Sequence, residues 1–201
     1  MLRKLFTLAA AAMMSVSAFA TDFKQGAHYE VLSHLQKSEQ PQVTELFSFY
    51  CPHCYRYEQL IGLIKANLPE DATLEKNHVS FMGGPMGKSM SKAYATAVEL
   101  DVEDTIVPAM FAAIHDTRTA PNNDKEMRQF FIDNGVSAPQ FDATFYSEKI
   151  EAIANGYDAY FQQTGLTGVP AVIVNNQYLV MTGEIRSADE YVELIQFLLA
   201  K

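Results

Sequence analysis

Cys51 and Cys54 are the only two cysteines in 201 residues, and they stand three positions apart in the stretch FYCPHCY. A pair at that spacing can be a structural bridge, half of a metal site, or a redox centre alternating between dithiol and disulfide. As a staple it is poor. A Cys51–Cys54 bridge closes a very small loop, and stabilisation shrinks with loop size in the chain-entropy view. As a metal site it lacks partners. Structural zinc takes four nitrogen or sulfur ligands, and no second C-x-x-C or His pair at ligand spacing exists. Attachment of a c-type haem needs His directly after the second cysteine, and position 55 is Tyr. The pair must therefore be judged by its chemistry, with Pro52 and His53 lying between the two sulfurs.

The elements on either side decide what that chemistry is. Val43 to Tyr50, VTELFSFY, is rich in β-branched and aromatic residues and predicts a buried strand. After Cys51 the period changes. Tyr57, Leu60, Ile61, Ile64 and Leu68 recur at helical spacing, with Pro69 just past the end. Pro52 suits the first turn, where its missing N–H costs nothing. The cysteines thus mark the hand-over from strand to helix N-terminus. There the helix dipole and unpaired N–H groups favour a thiolate, making Cys51 the exposed, reactive sulfur. Cys54, one turn further in, forms or accepts the intramolecular bond. His53 can add positive charge and donate a hydrogen bond toward the thiolate. A pair whose reduced form is stabilised has a disulfide that takes electrons readily, so the arrow points toward oxidising other thiols.

The rest of the chain reads as a frame for this turn. Residues 72–81, ATLEKNHVSF, predict a second strand. Residues 89–100, 104–116, 123–134 and 139–163 predict helices, separated at Asp101, Ala120-Pro121-Asn122 and Gly135. Strand character returns at Ala171–Val174, a turn falls at Asn175-Asn176-Gln177, and YLVM runs back as its hairpin partner. Ser187 caps a last helix through Leu199. A β-α-β start and a β-β-α finish sharing one sheet make an α/β unit with a helical block inserted between its halves.

At the N-terminus, Arg3 and Lys4 precede an apolar run from Leu5 to Val16, and Ala18-Phe19-Ala20 fits a small-residue cleavage site. This predicts a secretory signal over residues 1–20, and hence export to an oxidising compartment. The remaining 181 residues carry 13 basic and 24 acidic side chains, a formal charge of −11. That balance argues against nucleic acid, whose binding rests on basic residues.

FSFYCPHCYRYE after a strand, HVSFMGG some 25 residues on, and TGVPAVIVNNQYLV near the C-terminus together resemble the DsbA family, periplasmic thiol-disulfide oxidoreductases of the thioredoxin superfamily. The resemblance covers essentially the whole mature chain. It implies a thioredoxin-like fold over residues 21–82 and 164–201, with an all-helical insertion over 83–163. It also implies an oxidase that donates a Cys51–Cys54 disulfide to reduced exported polypeptides, acting as a monomer with no cofactor or metal beyond that disulfide. A quinone-linked inner-membrane oxidase of the DsbB type would restore the disulfide.

Particular residues carry the rest. Val169-Pro170 matches the superfamily's cis-proline, where the Val169 backbone would pair with an extended substrate strand; read without the resemblance, Pro170 is an ordinary trans residue opening a strand. Glu45, inside an otherwise apolar strand, and Lys76, on the next, match the buried acid and lysine expected to move protons as Cys54 changes state. The alternative is an ion pair with no catalytic part. Met82 and Met86 suit an undemanding groove for unfolded chains, or equally fill a domain junction. His78 reads as structural. The chain has no Trp, and Tyr94 and Phe145 are the aromatics expected in comparable places. Two other functions are kept open: a periplasmic reductase or isomerase, and a peptide-binding chaperone with an incidental disulfide.

Overall fold

Short β-branched and aromatic runs assemble into one five-stranded mixed sheet in the computed structural model, which describes residues 22–201; the signal segment expected over 1–20 lies outside the described residues. The strands are β1 (Tyr29–Val31), β2 (Gln42–Phe47), β3 (Thr73–His78), β4 (Ala171–Val174) and β5 (Tyr178–Val180), in spatial order β1-β5-β4-β2-β3. β2 pairs with β3 in parallel and with β4 antiparallel. The connection from β2 to β3 is α1 (Pro52–Ala66), the crossover that a parallel pair requires.

Between β3 and β4 run α2 (Gly87–Glu99), α3 (Glu103–His115), α4 (Asp124–Asp133), α5 (Ala138–Phe145) and α6 (Glu148–Thr164); α7 (Ala188–Leu199) ends the fold. Ser187 caps α7 as expected, its side chain accepting from the Glu190 N–H. The expected turn is a hairpin with Asn175 and Asn176 both at φ 51, a left-handed pair that Asn tolerates well.

Period-two alternation sends β2 and β4 side chains to two cores. Val43, Val172 and Val174 meet Ile61 and Ile64 of α1 and Leu194 and Leu198 of α7. Leu46 and Ile173 face the other way, toward Tyr160 and Phe161 of α6. A third core, built on Phe47, Phe49, Met90, Tyr94, Phe111 and Phe145, joins the sheet's end to the helical insertion and includes both cysteines. Tyr94 and Phe145, expected in place of Trp, are both buried there.

Three expectations need correcting. The strand read as 43–50 stops at Phe47, because the chain then peels away into the turn before α1. The helix read as 139–163 is two helices, α5 and α6, interrupted at Tyr146-Ser147, where Ser147 caps α6 through the Ile150 N–H. β1 was not anticipated. It has three residues and pairs only with β5, far along the chain.

Candidate active site

The turn from β2 into α1 builds the site. The Cys51 N–H donates to the Ser48 carbonyl at 3.0 Å, Cys51 adopts extended dihedrals, and Pro52 opens the helix. Cys51 is therefore the N-cap of α1, and its Sγ accepts from the Cys54 N–H at 3.2 Å. A sulfur stands where a Ser or Asp oxygen usually takes an orphan helix N–H, and negative charge there is favoured by hydrogen bond and dipole together. Both thiols are unbonded.

The two sulfurs differ in surroundings. Cys51, expected to be exposed, is only 3% accessible. The carbonyl of Val169 lies 3.5 Å from its Sγ, and Tyr50, Met82, Met86 and Val169 pack against the same cluster. The Val169-Pro170 peptide is cis, as the superfamily resemblance implied. Cys54 is fully buried. Burial, and then the neighbouring Cys51 sulfur, push its thiol well above the usual range, against a smaller opposing effect of the Ser48 backbone. A proton placed on Cys54 is held firmly.

His53 sits on the exposed face of the first turn. Its Nδ1 accepts from Arg56 Nη2 at 2.8 Å, so in this dithiol state the ring turns to Arg56, and the N–H that reaches the Cys51 sulfur is that of Cys54. Met82 and Met86 are half-buried, which places them between the two readings given above: each packs on the junction core and keeps part of its surface in solvent. Beside them Phe81 is 54% exposed and stacks on Phe161.

Beneath the dithiol lies a charged cluster set by strand register. Parallel pairing puts Glu45 directly beside Lys76, and Lys76 Nζ approaches Glu45 Oε2 at 3.0 Å. Lys76 also donates to Glu58 Oε1 of α1 and lies 4.5 Å from the centre of the Phe47 ring. Glu45 is wholly buried. Burial raises its carboxyl to about 7, Lys76 opposes this, and Glu58 adds to it. Lys76 is itself pulled down by burial, but Glu45 and Glu58 outweigh that and leave it raised. Glu58 was missed from the sequence. The available signal was its place four residues after Cys54, on the same face of α1.

His78 is structural, as read. Burial, helped by Lys76, lowers it to about 3 and keeps it neutral. Its Nε2 accepts from the Phe49 N–H at 3.2 Å, so Nδ1 carries the proton and donates to Ser91 Oγ at 2.8 Å.

A dithiol at a strand-to-helix turn, with one sulfur capping the helix and a cis Val-Pro across from it, now stands beside a comparison with known sequences. The profile of the DSBA-like thioredoxin domain matches residues 42–194. The chain belongs to that family. Thiol:disulfide interchange proteins DsbA from Pectobacterium carotovorum subsp. carotovorum and Dickeya dadantii are 34% and 36% identical to it, each across the full length of both chains. Among solved structures, a cysteine-to-serine variant of Proteus mirabilis DsbA with a non-covalently bound peptide superposes with a TM-score of 0.82 at 32% identity, covering 90% of this chain and all of that one. Like other DsbA family members, the chain is a thiol-disulfide oxidoreductase of thioredoxin-like fold, working in the oxidase direction. Among the described residues no helix is long and apolar enough to cross a membrane.

Proposed function

We propose that the chain hands its Cys51–Cys54 disulfide to reduced polypeptides arriving in the periplasm after export, the compartment to which the signal over residues 1–20 would send it. A substrate thiolate attacks Cys51 Sγ, the Cys51–Cys54 bond breaks, and its electron pair leaves on Cys54 Sγ. Cys54 then takes a proton. Glu45, poised at about 7 and near enough for its charge to raise Cys54, supplies that proton, and Lys76 and Glu58 connect it outward. A second substrate thiolate attacks the substrate's own sulfur in the mixed disulfide and expels Cys51 as a thiolate. The substrate loses two electrons, which the cysteine pair gains. Its two thiol protons go to solvent as its thiolates form, and solvent returns one through Glu45 to Cys54 while Cys51 leaves as a thiolate.

The observation that carries this reading is the Cys54 N–H on the Cys51 sulfur at 3.2 Å. It stabilises Cys51 as a leaving group, while Cys54 is shielded from any second attack. Val169, through its backbone, and Met82 and Met86, with Phe81 at the rim, would receive the substrate segment; the peptide held by the Proteus mirabilis relative fits such a use. His53 would lend positive charge once the thiolate forms, and Pro52 and Pro170 would hold the two walls of the site. The dithiol is the electron carrier, so no further cofactor or metal is required. The chain would act as a monomer, and a quinone-linked inner-membrane oxidase of the DsbB type would return it to the disulfide. Mixing the oxidised mature chain with one equivalent of a reduced, unfolded two-cysteine polypeptide tests the assignment: the polypeptide's thiols should vanish as those of Cys51 and Cys54 appear. Persistent polypeptide thiols would refute it.

A further inference from the structure

The segment between β2 and α1 raises a backbone accounting question. The ladder to β3 ends with the Val79 N–H on the Phe47 carbonyl at 2.8 Å, and the Ser48 carbonyl is taken by Cys51. Phe49 is fully buried between them, and its peptide groups have no strand partner. Buried backbone groups do not go unpaired without penalty. The N–H of Phe49 is taken by His78, as above. Its carbonyl is taken from the other side, by His115 Nε2 at 2.8 Å. A carbonyl can only accept, so His115 carries its proton on Nε2.

His115 is the last residue of α3, in the helical insertion. The edge of its ring holds Phe49, two residues before Cys51. Its face lies on Tyr55, the residue after Cys54, at 5.3 Å between centres and 13° between planes. Tyr55 is fixed further, by Phe111 on α3 at 5.4 Å and 16° and by a 2.6 Å hydrogen bond from its hydroxyl to Asp116 Oδ2. One histidine of the insertion therefore touches the chain just before and just after C-P-H-C.

We propose that His115 is a positioning residue for the dithiol: it anchors both ends of the redox turn to the helical insertion and so helps set the equilibrium between disulfide and dithiol. The two redox states place different demands on this turn. In the dithiol, Cys51 Sγ caps α1; in the disulfide, it must move to covalent distance of Cys54 Sγ, about 2 Å. The anchors are seen supporting the capped, dithiol geometry. Removing them raises the dithiol more than the disulfide, and the disulfide becomes a weaker oxidant. A merely structural residue would lower the stability of both states alike and leave their ratio untouched.

The experiment measures the equilibrium of the full mature protein with glutathione, and the unfolding midpoints of its oxidised and reduced forms. His115→Leu removes the donor. His115→Asn keeps a polar side chain too short to reach Phe49, and serves if the leucine variant does not fold. His115→Gln restores an N–H where Nε2 stands. The expected shift is about five-fold toward the disulfide in His115→Leu and His115→Asn, the scale of one lost hydrogen bond. The reduced form should lose more stability than the oxidised, and His115→Gln should lie within about two-fold of the unmodified protein. An unchanged glutathione equilibrium in a folded His115→Leu or His115→Asn protein would overturn the proposal. So would a His115→Gln protein shifted as far as the other two.

Discussion

The Cys51 sulfur lies 3.5 Å from the carbonyl oxygen of Val169, 118 positions later in the chain, and as a thiol it donates to that oxygen. The contact joins the α1 N-terminus to the turn before β4, and it covers Cys51 with the backbone proposed above to receive a substrate segment. Cys54 lies a turn deeper and is fully buried, whereas Cys51 keeps a 3% exposed edge beside that backbone.

This asymmetry predicts which cysteine substitution traps substrates. In Cys54→Ala the Cys51 thiolate can still attack a disulfide already present in an exported polypeptide, expelling one substrate sulfur as a thiolate. The mixed disulfide left behind has no Cys54 thiol to resolve it from within, so adducts should accumulate. Cys51→Ala should yield almost none. Non-reducing electrophoresis followed by mass spectrometry reads the result, and comparable adduct levels in the two variants would contradict the assignment of roles.

Glu45 predicts a pH dependence of unusual sign. Its carboxyl is raised by burial from 4.5 to about 7, so between those values the folded protein holds a proton that the unfolded chain has released. The stability that Glu45 contributes therefore falls as pH rises through this window, by at most about 3 kcal/mol at about 1.4 kcal/mol per unit. The decline is read as the stability of the unmodified protein minus that of Glu45→Gln, from urea unfolding of both reduced proteins between pH 4.5 and 8. A difference between the two proteins that stays constant with pH would show that the acid does not titrate as described.

His78 acts in the opposite direction. Its folded value of about 3 lies below the ordinary 6.5, so the unfolded chain takes up a proton that the folded protein refuses. The stability this contributes is present above pH 6.5 and is lost as pH falls toward 3, by at most about 5 kcal/mol. The two slopes oppose each other between pH 4.5 and 6.5. In Glu45→Gln the acid limb should therefore steepen, while in His78→Gln, whose amide oxygen can still accept from Phe49, it should flatten.

Much of this site was legible because its signals are local. Pro52 after Cys51 and the spacing of Ile61 and Ile64 announce a helix start at the dithiol. A lone acid in an apolar strand, Glu45, announces a buried partner. What escaped was set by contacts distant in sequence. β1 exists because Tyr178–Val180 lies beside it, and His115 reaches Phe49 across 66 positions; Val169 against the Cys51 sulfur was anticipated through the family resemblance alone. The break between α5 and α6 has a local signal, Ser147, but helical spacing runs on through it. Glu58 showed its i, i+4 relation to Cys54, yet an acid on a helix face is ordinary until Lys76 is placed against it.

The HVSFMGG stretch gives a prediction about stability. Gly83 adopts φ +85, and a Cβ there would meet the Tyr50 ring at 2.1 and 2.2 Å. Gly83→Ala must both strain the backbone and displace the ring next to Cys51, at a cost of about 1–3 kcal/mol. Chemical denaturation checks the size. Gly26→Ala, also at positive φ but with open space around its Cβ, is the control and should lose clearly less; equal losses would show that the Tyr50 contact is immaterial.

Capping of α1 by the Cys51 sulfur favours the dithiol over the disulfide. Equilibration of the mature protein with glutathione buffers, read as the fraction of the Cys51–Cys54 disulfide, tests this most directly. The predicted potential is more oxidising than the roughly −200 mV of glutaredoxin-like pairs. A value near the roughly −270 mV of thioredoxin would reverse the direction of electron flow and show that the cap does not favour the dithiol.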